Sequence, residues 1–213
     1  MQTSELITQL SENAAPVPRA APLHKLAVAL FGGVAVSFVV MWAWLGPRPD
    51  MASAVWTAGY WIKFGYSLAM SAAALWLAER LSRPGAHIVQ PSRFLVATFL
   101  LLAVAACIQF GTAPALLRGK LIMGSSANVC PWRIVALSLP VFVCISLALR
   151  RLAPTRLVLA GIAAGLVAGA AGAWVYAFHC DESATPFVAV WYTLGMASAG
   201  GLGGISGKWL LRW

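Results

Sequence analysis

The stretch Leu157–Pro186, "LVLAGIAAGLVAGAAGAWVYAFHCDESATP", changes character once. From Leu157 to Phe178 it carries no charged residue; its end, "HCDESATP", sets a histidine, a cysteine and two carboxylates close together. The apolar part exceeds the roughly 20 residues that a helix needs to cross a bilayer. A surface helix of a soluble protein would show a polar face, and this run has none. The stretch therefore reads as a membrane-crossing helix ending in a polar hinge. The hinge concentrates one of three histidines and two of six acidic residues, so the side of the membrane it faces bears directly on function.

The same reading extends along the chain. Of 213 residues, 61% are hydrophobic and only 10% are charged, too few charges for the surface of a soluble domain. Six apolar runs stand out: Leu26–Leu45, Ala54–Ala78, Phe94–Ala113, Ile134–Leu149, Leu157–His179 and Phe187–Trp209. The fourth is short and contains Pro140, which a membrane helix tolerates when neighbours satisfy the freed carbonyl. The first does not read as a cleavable signal, because a long polar, Pro-rich segment precedes it and no clear small-residue cleavage site follows. The expected fold is an all-α integral membrane bundle of six transmembrane helices (25–213) behind an N-terminal tail (1–24).

Orientation follows from Lys and Arg, which concentrate on the cytoplasmic side. With the N-terminus inside, the inner segments hold Arg19, Lys25, Arg80, Arg83, Arg93, Arg150, Arg151, Arg156, Lys208 and Arg212. The outer segments hold Arg48, Arg118, Lys120 and Arg133. Both termini are thus expected in the cytoplasm. The basic excess reads as orientation and lipid contact; no basic run interleaved with aromatics offers a nucleic-acid groove. The hinge then faces outward, as does the third-to-fourth loop with Cys130. Cys130 and Cys180 lie in a compartment that permits disulfides, whereas Cys107 and Cys144 fall within spans and read as small apolar packing residues.

Three further features carry alternatives. Gly161, Gly165 and Gly169 recur every fourth residue, and Gly200 with Gly204, and Gly203 with Gly207, repeat the spacing in the last run. Such spacing lets helix backbones approach closely in lipid, as static packing or as a pair that moves to relay a signal. In the tail, Thr3 or Ser4 can cap a short helix whose Leu6, Ile7 and Leu10 share one face. That face either meets a partner groove or lies on lipid. Lys63 sits about ten residues into an apolar run; it either snorkels outward or pairs with Asp50.

No Gly-rich phosphate loop, Cys-x-x-Cys or metal-spaced histidine pair occurs. His179 beside Cys180 could contribute to a metal site or lower the thiol pKa, or belong to a solvated loop. No cofactor, resident metal or enzymatic activity is expected. A membrane thiol–disulfide oxidoreductase and a small transporter subunit are the rival readings.

A set of stretches in order resembles the NrsF-type anti-sigma factors, six-span inner-membrane proteins of proteobacteria. These are "ELITQL", "GPRPDM" followed by Lys63, "RPGA", "NVCPWRIVALSLP", "RRLAPTRLVLAGIAAGLVAGAAGAWVYAFHC" and "WYTLGMASAGGLGGISGKWLLRW". Met51 stands where the family often has leucine. The resemblance implies a multi-pass inner-membrane regulator that sequesters an extracytoplasmic-function sigma factor of the sigma-F kind and releases it under metal or oxidative stress. The family's two characteristic cysteines match Cys130 and Cys180. The tail residues Leu6, Ile7 and Leu10 become the expected sigma-factor contact. The cysteines, with His179, become a redox, disulfide or metal-sensing group, or a permanent structural disulfide.

Overall fold

The computed structural model describes residues 3–12 and 20–212. Every long element among them is helical: α1 (Thr3–Glu12), α2 (Ala21–Trp44), α3 (Met51–Ala54), α4 (Ala58–Leu81), α5 (Val89–Thr112), α6 (Ala115–Met123), α7 (Cys130–Arg150), α8 (Leu157–Tyr176), α9 (Thr185–Phe187) and α10 (Thr193–Leu210). A π-helical turn, Val188–Tyr192, joins α9 to α10. Five of the long segments, α2, α5, α7, α8 and Thr185–Leu210, are apolar and long enough to cross a membrane. α4 is as long but carries Lys63, Glu79 and Arg80 and falls outside that group.

The side chains sort as a bilayer demands. Val28, Phe31, Val39, Leu101 and Val104 point outward from α2 and α5, where only lipid solvates them well. α8 is the most buried of the five. It packs chiefly on α10, then on α7 and α4; α2 packs on α7, and α5 on α4. The short connection between α7 and α8 makes them neighbours, as their sequence separation predicts.

Run boundaries shift by several residues from the hydropathy reading. The fourth helix begins at Cys130 and not at Ile134, because Pro131 in the first turn needs no hydrogen-bond partner and comes with a helical φ. Its interior Pro140 removes a backbone donor. In the turn before it, Ser37 of α2 donates its hydroxyl to the Leu137 carbonyl at 2.6 Å, and Gly33 lets α2 come within backbone contact of Val141.

The α8–α10 seam explains the glycines. A Cβ on Gly161 would overlap the carbonyl of Gly203, one on Gly165 the carbonyl of Ala199, and one on Gly169 would lie 2.9 Å from the Cα of Met196. On the α10 side, Gly203 and Gly207 meet backbone. Gly200 and Gly204 do not: they accommodate the side chains of Leu166 and Ile162. The backbone-to-backbone face of α10 is therefore Ala199–Gly203–Gly207, one register from the Gly200–Gly204 pair.

The connections 45–57, 113–129 and 177–184 gather at one end, here the hinge end, as the hydrogen bonds between them show. At the other end Leu26, Leu81, Leu149 and Leu211 share one buried cluster.

Gly161→Val should place a branched side chain against the Gly203 carbonyl and lower the thermal unfolding midpoint in detergent, with an overpacking cost of about 1–3 kcal/mol. Gly201→Ala, which meets nothing within 4 Å, should leave it unchanged. Equal behaviour of the two variants would remove the seam as a source of stability.

Candidate functional site

The hinge, residues 177–184, is held by side chains from every neighbouring connection. The Arg48 backbone N–H donates to the Phe178 carbonyl at 3.0 Å. Its guanidinium donates to the carbonyls of Cys180 at 3.2 Å and Asp181 at 3.3 Å. The Glu182 carboxylate accepts from the Ser125 N–H at 2.6 Å and hydroxyl at 2.8 Å. That carboxylate sits where a side chain on Gly124 would stand, and Gly124 has φ +50°, so a glycine there serves both the turn and the contact. The Thr185 N–H donates to the Gln109 side chain at 2.8 Å.

Lys63 is the central donor. It is 0% exposed, and its ammonium donates to the carbonyls of Cys180 at 2.7 Å and Glu182 at 2.8 Å. It neither snorkels outward nor pairs with Asp50. Asp50 is already engaged: Arg48, two residues away, grips both its oxygens at 2.7 Å. That fork geometry is the strongest available to a carboxylate. Its hydrogen bonds hold the Asp50 carboxyl below the usual carboxylate range.

The two thiols lie behind this frame. Cys130, the first residue of α7, and Cys180 are both buried, free of disulfide, and near enough to act on each other's thiol. Cys180 lies in the hinge, outside the helices. The neighbouring Cys130 thiol is the largest influence on it and holds its thiol below the ordinary range; burial opposes this, and the Lys63 charge assists. Tyr192, the last residue of the π-helical turn, lies against Cys180; π turns of this kind recur at functional sites. Both ring nitrogens of His179 are engaged: its Nδ1 lies 2.9 Å from the Gly46 carbonyl and its Nε2 3.3 Å from Arg133 Nη1. A carbonyl only accepts, so Nδ1 carries the proton and the Nε2 lone pair faces Arg133. Among the described residues no group of three or more His, Cys, Asp or Glu side chains is arranged around a common metal position.

Of the residues singled out in the sequence, the structure brings together Cys130, Cys180 and Lys63, with Asp50 and His179 at the margin. Cys107 is exposed and Cys144 half-buried, both away from this group. In α1, Ile7 is 61% exposed; the side chains of Leu6 and Leu10 lie outside the described residues. Sequence reasoning missed Arg48, Arg133, Glu182 and Tyr192. The run "GPRPDM" was a signal for Arg48, since prolines on both sides fix the backbone that aims it.

Lys63→Met should leave two hinge carbonyls without their charged donor. A hydrogen bond to a charged group contributes about 1.5–3 kcal/mol, so the unfolding midpoint should fall and amide exchange at 180–184 should speed up. Unchanged exchange there would show that the hinge does not depend on Lys63. Alkylation of Cys180 should rise with pH through a midpoint below that of an ordinary thiol, and Cys130→Ala should move the midpoint upward. An unmoved midpoint would exclude Cys130 as its cause.

Comparison with known proteins agrees with this arrangement along the whole chain. Residues 10–213 match the family model described as NrsF, negative regulator of sigma F. The probable anti-sigma-F factor NrsF of Azospira oryzae is 37% identical over 214 residues, covering 100% of both chains. The anti-sigma-F factor NrsF of Caulobacter vibrioides is 40% identical over 215 residues, again covering 100% of both. No solved structure matches. Of the stretches that carry the resemblance, "GPRPDM" with Lys63, "NVCPW" and "AFHC" meet at the hinge, and the chain belongs to the NrsF family of negative regulators of sigma F.

Proposed function

We propose that this chain is a six-span inner-membrane anti-sigma factor that holds an extracytoplasmic-function sigma factor of the sigma-F kind. It releases that factor when Cys130 and Cys180 are altered from outside. The observation that carries the reading is the pairing of these two thiols inside a frame built from all three hinge-end connections. A disulfide between Cys130 and Cys180 would join the start of α7 to the end of α8, changing how both are held. Redox chemistry is favoured over metal binding by the engagement of His179 with Gly46 and Arg133.

The charge distribution supports the orientation. Arg80, Arg83, Arg93, Arg150, Arg151, Arg156, Lys208 and Arg212 lie toward the end opposite the hinge, and the cytoplasmic side is where Lys and Arg accumulate. That end also receives the start of α2, into which the tail leads. The output surface is α1, with Leu6, Ile7 and Leu10 as anchors; burying each contributes about 1.5–3 kcal/mol. To pass from nearly full capture to nearly full release, the two states must differ in affinity by about 5.5 kcal/mol.

Affinity capture of the intact membrane protein should recover a sigma factor, and replacing Leu6, Ile7 and Leu10 with serine should abolish recovery while membrane insertion persists. Full repression by the triple variant would move the output site to the inner loops. A reporter fused after Trp213 should be active only if it works in the cytoplasm; periplasmic activity would overturn the orientation. Cys130→Ser and Cys180→Ser should each disturb oxidant-controlled transcription in the same direction, and Cys107→Ser and Cys144→Ser should not. Normal control in both of the first pair would end the cysteine reading.

A further inference from the structure

A cavity of about 510 Å³ lies between the start of α2 and the end of α7, at the end opposite the hinge. Ala29, Cys144 and Ala148 give it small side chains, and the two alanines pack onto the buried cluster behind. Val28 and Leu147, both exposed, line it as well. Its other lining residues are His24, Lys25 and Arg151; no carboxylate is among them. Helical spacing orders these groups. His24 and Lys25 stand one turn before Val28 and Ala29 on α2, and Arg151 stands one turn after Leu147 and Ala148 at the end of α7. Both helices therefore set charge at the mouth of the cavity and apolar side chains one turn deeper.

We propose that this cavity binds one anionic phospholipid, its phosphate held between Lys25 and Arg151 and one acyl chain laid along Val28 and Leu147 over the small side chains. α2 and α7 are both long and apolar enough to cross a membrane, so the cavity lies where a bilayer's headgroups give way to its chains. Basic pockets between membrane helices are suited to anionic headgroups. Lysine offers a phosphate a point charge and arginine a planar fork of donors, and an imidazole beside them adds a further donor. The proposal requires only that α2 and α7 cross the bilayer; it is independent of the cysteine pair and of the sigma factor.

Charge complementarity selects the class of lipid. Among the described residues the ion pairs are those of Arg48, Arg80 and Arg83, so Lys25 and Arg151 hold no carboxylate there, and both are exposed. Two like charges on the walls of one cavity repel each other; a phosphate between them turns that repulsion into a bridge from α2 to α7. A zwitterionic lipid would bring its own cation to the same two side chains, with no carboxylate in the lining to receive it, and is disfavoured for that reason. A soluble phosphate would meet the charges and leave the apolar turn below them unfilled. The bridged helices are the one that continues the tail and the one that Pro140 interrupts, so the lipid ties them together at the tail end of the bundle.

The test titrates the full chain, purified in a neutral detergent, with phosphatidylglycerol or with phosphatidylcholine of identical acyl chains, and reads bound lipid by native mass spectrometry. The first phosphatidylglycerol should bind roughly thirty-fold more tightly than phosphatidylcholine, the selectivity of two basic side chains near an anionic headgroup. Lys25→Gln with Arg151→Gln should abolish that preference. Arg93→Gln with Arg156→Gln removes the same charge from the same end outside the cavity and should preserve it. Ala29→Leu, which fills the apolar turn and leaves the charges in place, should weaken binding of phosphatidylglycerol, and excess glycerol phosphate should not displace the lipid. Phosphatidylglycerol should also raise the unfolding midpoint of the wild type and of the Arg93, Arg156 variant but not of the Lys25, Arg151 variant, a readout that stands even if Ala29→Leu fails to fold. Equal affinity for the two lipids would overturn the proposal. So would equal loss in both glutamine variants, which would show general attraction to a basic surface. Displacement by glycerol phosphate would give the site to a soluble phosphate, and a dimer that Ala29→Leu dissociates would give it to a second copy of the chain; either result overturns the lipid.

Discussion

The ammonium of Lys63 is fully buried in the bundle and donates to two carbonyl oxygens of the segment between α8 and the last helix. Removing a charge from water costs several kcal/mol, and inside a membrane protein such a charge persists only with partners or water. Here the partners are backbone oxygens of an irregular segment that has no helix or strand of its own to satisfy them. The arrangement solves two problems at once: the cation is coordinated, and the hinge carbonyls are not left unpaired. Arg48 repeats the solution from the opposite side, on the carbonyls of Cys180 and Asp181. Deleting either cation leaves the other charge facing a hinge that has lost part of its frame, so the two should not behave additively.

The hinge is thus a fixed structure and not a slack loop, and the glycine seam extends that rigidity into the bundle. With Gly161 and Gly165 against the carbonyls of Gly203 and Ala199, α8 and α10 have no compressible side-chain layer between them. Large side chains can exchange rotamers; backbones in contact cannot. The two helices that flank the hinge are therefore expected to respond to it as one body.

Much of this was legible in the sequence, and the limits have physical causes. Uncharged runs gave the long helices because bilayer thickness sets their length. The Lys and Arg asymmetry grouped the connections that the structure gathers at one end, which put Cys130 and Cys180 on one side before any contact was known. The glycine spacing gave a close-packed pair, but α10 carries two such ladders one register apart, and only tertiary contact selects Gly203 and Gly207 over Gly200 and Gly204. Lys63 announced that it needed either Asp50 or an outward path; the structure gives it backbone carbonyls, and Asp50 pairs with Arg48. Partners that are backbone carbonyls leave no trace in residue identity. The start of α7 at Cys130 was missed because hydropathy falls at "CPW", although Pro131 suits a first turn.

These constraints also locate where movement can be absorbed on the proposed reading. Cys130 belongs to α7 and Cys180 to the hinge after α8, so a bond between them would pull the start of α7 toward a body that the glycine seam keeps from deforming. α7 is the more yielding partner, since Pro140 interrupts its hydrogen-bond ladder. The turn beside that interruption is where Ser37 and Gly33 of α2 make their contacts. A bend of α7 there would be transmitted to α2 through the Ser37 hydrogen bond and the Gly33–Val141 backbone contact. α2 in turn shares the buried cluster of Leu26, Leu149 and Leu211 at the end where the tail enters. The path from thiol to tail then runs through a helix weakened in its interior by Pro140 and the helix directly continuous with the tail, while α8 and α10 serve as the fixed support against which both move.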